Sequence, residues 1–185
     1  MCRRFILIAL GLVSAAPAAA LDLPTRRAGL WDLKMTFEGG IPPQAIQQCV
    51  DASTDKLMNG SFASQRSEAC SKQDIQKIGS TIVVDSVCKF GAMTTTSHAV
   101  ISGSFDQNYT VKVSSTREGG PPAPKGAPGG QTSMTMEAKW LGPCKADQKP
   151  GDMILPNGMK VNVRDAQNMM PPGGMPQRPG LPPQR

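Results

Sequence analysis

Apolar and polar residues alternate with a period of two along much of this 185-residue chain. Trp31, Leu33, Met35 and Phe37 are separated by polar or charged side chains. Side chains of a strand point to opposite faces in turn, so this pattern is typical of a half-buried strand. Comparable patterns occupy residues 81–88, 93–104, 108–115 and 132–141. We therefore predict an all-β fold in the main, an antiparallel meander of five or six strands.

Short turn signals separate these segments and favour hairpin connections. They are Ile78-Gly79-Ser80, Phe90-Gly91-Ala92 and Phe105-Asp106-Gln107. A longer loop rich in proline and glycine is expected over residues 117–130. A meander of this kind can curl on itself, and we expect a curled sheet or half-barrel.

One segment departs from the strand pattern. After Pro42-Pro43, the residues Ala45, Ile46, Cys49 and Val50 are placed at helical spacing. The spacing predicts one short helix near residues 43–58, which ends before Asn59-Gly60.

The first twenty residues have the features of a secretory signal peptide. Arg3 and Arg4 precede an apolar run over residues 5–13, and Ala18-Ala19-Ala20 is a cleavage site of small residues. We predict cleavage after Ala20 and export to the periplasm. The apolar run is shorter than the ~20 residues that a membrane-spanning helix needs, and no second such run follows. No transmembrane segment is therefore expected in the mature chain.

Composition divides the remainder of the chain into two parts. Residues 21–144 carry the alternating pattern and four cysteines, and we predict one disulfide-bonded β-domain there. Residues 145–185 form a tail rich in proline, glycine and methionine, which we expect to be disordered from about residue 166. Pro156-Asn157-Gly158 is a turn signal, which leaves open that residues 151–163 pack on the domain.

The formal net charge of +6 belongs largely to the two ends of the chain. Between residues 21 and 144 the net charge is only +1, and the few aromatic residues are not interleaved with basic ones. Nucleic-acid binding needs a clustered basic surface, usually with stacking aromatics, so we exclude nucleic acid as a partner.

The four cysteines after the signal peptide are Cys49, Cys70, Cys88 and Cys144. An even number without a C-x-x-C motif favours disulfides in an exported protein over a zinc or redox site. Folding the chain about Gly79 places Cys70 opposite Cys88, a geometry suited to a cross-strand disulfide. Cys49 and Cys144 are then paired by elimination.

Several segments together resemble a family of secreted proteobacterial proteins known as domain of unknown function 3617. These segments are RAGLWDLKMTFEGG, PPQAIQQCVD, CSKQDIQKIGSTIVVDSVCKFG, MTTTSHAVISGSFDQNYTV and TMEAKWLGPCKADQKPGDM. The resemblance covers roughly residues 27–163. It implies a periplasmic location and paired cysteines, with no established activity, no ligand and no catalytic residues.

Catalysis is not expected from this sequence, and neither is a cofactor. His98 is the only histidine, and it lies in a threonine-rich strand without a serine motif such as G-x-S-x-G. The carboxylates are scattered and form no calcium-binding pattern.

Binding of an apolar or lipid-like ligand is the function that we predict, because a curled sheet can leave an apolar interior open. The candidate lining residues are Trp31, Met35, Phe37, Met134, Met136 and Trp140. The alternative for these six side chains is that they fill the core.

Two other functions remain open from the sequence alone. One is a structural or interaction protein of the cell envelope that presents its Pro/Met-rich tail to an envelope protein. The weaker one is Cu(I) binding by the tail methionines Met169, Met170 and Met175, because soft thioethers favour that ion.

Overall fold

In the computed structural model, which describes residues 23–58, 69–120 and 130–169, one antiparallel sheet dominates the fold. Its strands are β1 (Gly29–Phe37), β2 (Gln44–Val50), β3 (Cys70–Ile78), β4 (Thr81–Phe90), β5 (Met93–Ser104), β6 (Asn108–Gly119), β7 (Gln131–Gly142), β8 (Asp152–Ile154) and β9 (Lys160–Asn162). Two short helices are described, α1 (residues 52–58) and α2 (Val163–Met169).

The spatial order of the strands is β3-β4-β5-β6-β7-β1-β2-β8-β9. Strands β3 and β9 form the two edges, so the sheet is not closed. The mainly antiparallel β prediction is confirmed, although the sheet has nine described strands where the sequence predicted five or six. The additional strands are β2, β3, β8 and β9, whose sequences show no simple alternation of apolar and polar residues.

Most of the buried apolar residues of the strands lie on one side of the sheet, which we call the inner face; Leu30 and Cys49 are buried on the other side. Buried residues of the inner face join Met58 of α1 and Val163 of α2 in one hydrophobic cluster. The members from the sheet are Trp31, Leu33, Val50, Ile82, Val84, Ile101, Tyr109 and Ala138. The opposite side, the outer face, carries most of the charged side chains of the strands, as the alternation predicts.

The predicted helix over residues 43–58 is wrong for its first half. Residues 44–50 form β2, which pairs with β1 along its whole length, and only residues 52–58 are helical. Three consecutive residues at the end of β2, Gln48, Cys49 and Val50, are all buried. Burial on both faces removes the alternation, and the remaining apolar positions resemble helical spacing.

The hairpin of β3 and β4 pairs its cysteines as predicted, but by a different register. Cys70 and Cys88 are register partners and form a disulfide. The turn has two residues, so that Ile78 pairs with Thr81, one position away from a fold about Gly79. A β-bulge just after Cys70 inserts one residue and brings the two cysteines opposite each other.

The segment after β7 extends the sheet. Cys144 is bonded to Cys49 of β2, and the Gly151 N–H donates to the Cys49 carbonyl oxygen at 2.8 Å. β8 then pairs with β2, and β9 pairs with β8 around the predicted turn at Pro156-Asn157-Gly158. The signal peptide and the tail beyond residue 169 lie outside the described residues.

Asp152 anchors this extension. The carboxylate accepts a hydrogen bond from the Asn162 amide at 2.7 Å and another from the Lys149 backbone N–H at 3.0 Å. Burial alone would raise the pKa of Asp152, but these hydrogen bonds and the charges of Lys160 and Lys149 outweigh it and lower the pKa. The ionised carboxylate thereby joins the start of β8 to the end of β9.

Helix α1 begins with a well-formed N-terminal cap. The Asp51 carboxylate accepts hydrogen bonds from the Thr54 backbone N–H and the Ser53 hydroxyl, each at 2.8 Å. In return, the Asp51 N–H donates to the Thr54 hydroxyl oxygen at 3.0 Å. The Thr54 N–H is the main cause that lowers the pKa of Asp51 from 3.8 to about 2, followed by the Ser53 hydroxyl. Such reciprocal bonding fixes the point at which the helix starts.

We expect Asp51→Ala to lower the free energy of unfolding by about 1 kcal/mol at neutral pH, because the cap is lost. Since the folded pKa lies below the unfolded one, this stabilisation is present above about pH 4 and is lost as the pH falls towards 2. Urea unfolding of both proteins across that pH range measures the effect. Asp106→Ala is the control, because the Asp106 carboxylate accepts no hydrogen bond from the described residues. A difference that does not depend on pH would contradict the assignment.

Candidate functional site

Two rows of apolar side chains cross the inner face, one over six neighbouring strands from β3 to β1 and the other over the five strands from β4 to β1. We call them together the apolar band. Strand register places Ile75, Val84, Ala99, Val113, Met134 and Phe37 in one row, and Ile82, Ile101, Val111, Met136 and Met35 in the other.

Burial along the inner face is uneven. Where β1 begins, Trp31 is fully buried, and its ring lies 5.6 Å from that of Tyr109 across the small Ala138. Towards the other end of β1, Met35 and Phe37 are only half-buried, as are their partners Met136 and Met134. The core of the inner face also includes Ile82, Val84 and Ile101 of the apolar band, so the partly open apolar surface lies where β1 ends and β7 begins.

A row of hydroxyl groups borders the apolar band on its open side. Its members on β4 to β7 are Ser86, Ser97, Ser115 and Thr132. The Ser97 and Ser115 hydroxyl oxygens lie 2.9 Å apart, within hydrogen-bond distance. The inner face is thus amphipathic, with apolar and polar strips side by side.

The structure brings together the six side chains that the sequence selected as candidate ligand-lining residues. They form three directly opposed pairs on β1 and β7, namely Trp31 with Trp140, Met35 with Met136, and Phe37 with Met134. Trp31 is fully buried, so it fills the core, as the alternative to ligand binding expected. The other five are half-buried, and ligand binding by them stays a prediction.

A buried polar cluster, which sequence reasoning missed, lies beside the closed core. The Asp55 carboxylate of α1 accepts hydrogen bonds from the Arg26 Nε at 2.6 Å and from the Arg26 backbone N–H at 2.8 Å. Arg26 also donates to the Gln48 side-chain oxygen at 2.8 Å, and Asp55 has no exposed surface. The cluster connects α1, β2 and the start of the described chain, and no local signal links Arg26 to Asp55, 29 positions away.

Tyr109 faces the same cluster. Burial raises the pKa of its hydroxyl group, against the effect of the nearby Arg26 charge. The side chain also stacks on Phe105, with ring centroids 4.6 Å apart. Tyr109 therefore stays neutral and serves as packing beneath the arginine.

His98, the one histidine weighed for catalysis, lies on the outer face. Its Nδ1 is 2.8 Å from the Asp85 carboxylate, and the two side chains are 52% and 43% exposed. Among the described residues, no group of three or more His, Cys, Asp or Glu side chains is arranged to hold a metal ion. Of the tail methionines, Met170 and Met175 lie outside the described residues, and only the backbone of Met169 is described, at the end of α2.

Fold and site together define a β-sheet protein with two disulfides and an amphipathic, partly open inner face. Residues 26–144 match the family described as Protein of unknown function (DUF3617). Because the match covers more than half of the chain, the chain belongs to this family, and the resemblance seen in the sequence is confirmed. No curated protein and no solved structure matches the chain. None of the described helices has the length and apolar character required to cross a membrane.

Proposed function

We propose that the chain is an exported, non-catalytic binding module that holds an apolar or lipid-like ligand on the apolar band. The observation that supports this proposal is the incomplete burial of the paired side chains at the open end, above all Met35, Met136, Phe37 and Met134. A contiguous apolar surface that stays partly open to water is costly and commonly marks a binding site.

Most of the partly open members of the apolar band lie on β6, β7 and β1, whereas Ile82, Val84 and Ile101 on β4 and β5 are buried in the core. Three strands at their usual spacing span about 10 Å, and the two rows of side chains are about 7 Å apart. A patch of this size fits a short segment of an acyl chain. Methionine side chains suit such a ligand, because they are flexible and adapt to irregular apolar shapes.

Periplasmic residence is part of the proposal. The two disulfides are compatible with an oxidising extracellular compartment. In such a compartment, a protein with an open apolar surface could shield a lipid-like molecule from water.

A pair of variants on β7 tests the proposal. Met136→Glu places a charge in the apolar band, and Thr135→Glu places the same charge next to it in sequence but on the outer face. With a neutral fluorescent acyl probe, we expect Met136→Glu to weaken binding at least about tenfold, because an unpaired charge in an apolar contact is costly. Thr135→Glu should bind like the wild type.

Folding of each variant is checked by urea unfolding. If Met136→Glu does not fold, Met136→Gln replaces it, with Thr135→Gln as its control. Equal weakening by the inner and outer variants, or no binding of the probe to the wild type, would contradict the proposal.

A further inference from the structure

A second feature lies apart from the apolar band, at the end of the sheet where β6 begins and β7 ends. It is a surface cleft of about 570 Å³. Arg27, Gln107, Asn108, Tyr109, Thr110, Glu137, Ala138, Lys139 and Trp140 line this Arg27 cleft. The buried block of Trp31, Tyr109 and Ala138 separates it from Met136 and Met35, so the two surfaces are distinct.

The Arg27 side chain is held in a fixed place by stacking. Its guanidinium lies 3.7 Å from the centroid of the Trp140 ring, closer than most arginine–aromatic contacts require. Trp140 is itself fixed, because its indole N–H donates to the Ala28 carbonyl oxygen at 3.1 Å. This approach depends on Gly29, since a Cβ there would lie 2.6 Å from the indole nitrogen.

The Arg27 backbone is equally well anchored. Its N–H donates to the Phe105 carbonyl oxygen at 2.9 Å, and its own carbonyl accepts the indole N–H of Trp31 at 2.8 Å. By contrast, the exposed guanidinium forms no ion pair or side-chain hydrogen bond with the described residues. Stacking uses the face of a guanidinium and leaves the N–H groups at its edge available as donors.

The charges of the cleft set the class of ligand. Arg27 and Lys139 are positive and Glu137 is negative, so the three together carry one net positive charge. A guanidinium edge matches a carboxylate, which it binds through two parallel hydrogen bonds. Net charge alone does not separate a carboxylate from a phosphate, but Trp140 and Ala138 also line the cleft and offer apolar contact to the organic part of a carboxylate ligand, which inorganic phosphate lacks.

We propose that the Arg27 cleft binds a carboxylate group of a small organic molecule, with the guanidinium edge of Arg27 as the main donor. Lys139, Asn108 and Thr110 also line the cleft and add a second positive charge and further polar groups to its walls. This site goes beyond the proposed function and does not depend on it.

Titration with benzoate, followed through the indole N–H signals in NMR spectra, tests the site. The chain has two tryptophans, so the buried Trp31 serves as an internal reference for Trp140. We expect a saturable shift of the Trp140 signal that is larger than the shift of Trp31. Inorganic phosphate at the same ionic strength should bind more weakly, and sodium chloride should give no saturable shift.

Two variants of Arg27 distinguish the contribution of its paired N–H donors from that of its positive charge. Arg27→Gln should weaken benzoate binding about 10- to 100-fold, and Arg27→Lys, which keeps the charge, about tenfold. Lys89→Gln is the control, because it removes one positive charge from an exposed position on β4, three strands away from β7 and outside the cleft. Met136→Glu should leave benzoate binding unchanged, so failure of this site and failure of the apolar band are distinguishable.

Each outcome decides the proposal. A wild-type protein without a saturable Trp140 shift would overturn the site, and so would equal weakening by Lys89→Gln and Arg27→Gln. Tighter binding of phosphate than of benzoate would overturn the assignment to a carboxylate.

Discussion

Asp55→Asn is expected to lower the free energy of unfolding by about 3–5 kcal/mol, because a buried charge loses its partner. The change keeps the size of the side chain but leaves the buried Arg26 guanidinium without its countercharge. Folded domains are usually stable by only ~5–15 kcal/mol, so such a loss is a large part of the total. Urea unfolding at neutral pH, with intact disulfides, measures it.

A matched control is available on the outer face. Asp85 is also paired, to His98 at 2.8 Å, but both side chains are well exposed. Asp85→Asn should therefore cost at most about 1 kcal/mol. Replacing both buried partners, Arg26→Met with Asp55→Leu, should be less damaging than Asp55→Asn alone, because no unpaired charge remains. Similar losses from Asp55→Asn and Asp85→Asn would contradict the role given to the buried pair.

Removal of the Cys49–Cys144 disulfide by alanine substitutions is expected to cost about 4–5 kcal/mol, against about 3 kcal/mol for Cys70–Cys88. The first bond closes a loop of 95 positions and the second a loop of 18. In the chain-entropy description, the longer loop restricts the unfolded chain more. The longer bond also ties β2 to the segment that carries β8 and β9.

Urea unfolding of the two double-alanine variants gives the comparison. Because every buried cysteine that becomes alanine also loses packing, single Cys49→Ala and Cys88→Ala variants under reducing conditions provide the correction. A larger loss from the short-loop bond after this correction would contradict the expected order.

The strands that could be predicted from the sequence have one face exposed to solvent and the other face buried. Strands β1 and β4 to β7 are of this kind, and their predicted segments are confirmed. β2 does not, because the disulfide segment covers Cys49 on one side while Val50 packs in the core on the other. β3 is mostly polar, with Ile75 packed against the core, because an edge strand buries little surface.

Pairing of residues far apart in sequence was predictable only where chain geometry limits the choice. Hairpin symmetry selected Cys70 and Cys88, although a two-residue turn and a bulge offset each other to give that result. Nothing comparable connects Arg26 with Asp55, since their contact depends on where α1 packs on the sheet. The stacking of Arg27 on Trp140 could not be predicted either, because it also depends on how distant segments pack in the fold.

The candidate site was predictable in its members but not in its burial. Alternation placed Trp31, Met35 and Phe37 on one face of β1, and the residues of β7 on the same face. Which end of that face is closed depends on Tyr109, Ala138 and Met58, which come from three other elements of the fold. Position within the sheet therefore decides that Trp31 is fully buried in the core and that Phe37 is only partly buried.

Methionine methyl signals in the presence of a nitroxide-labelled fatty acid test the central claim most directly. Paramagnetic broadening should be strongest for Met35, Met134 and Met136, the three methionines of the apolar band. Met159 is 52% exposed and far from the band in sheet order, so it reports non-specific contact with the probe. Selective broadening of the three band methionines is the predicted result. Broadening of Met159 to the same degree, or unchanged signals for Met35, Met134 and Met136, would contradict binding on the inner face.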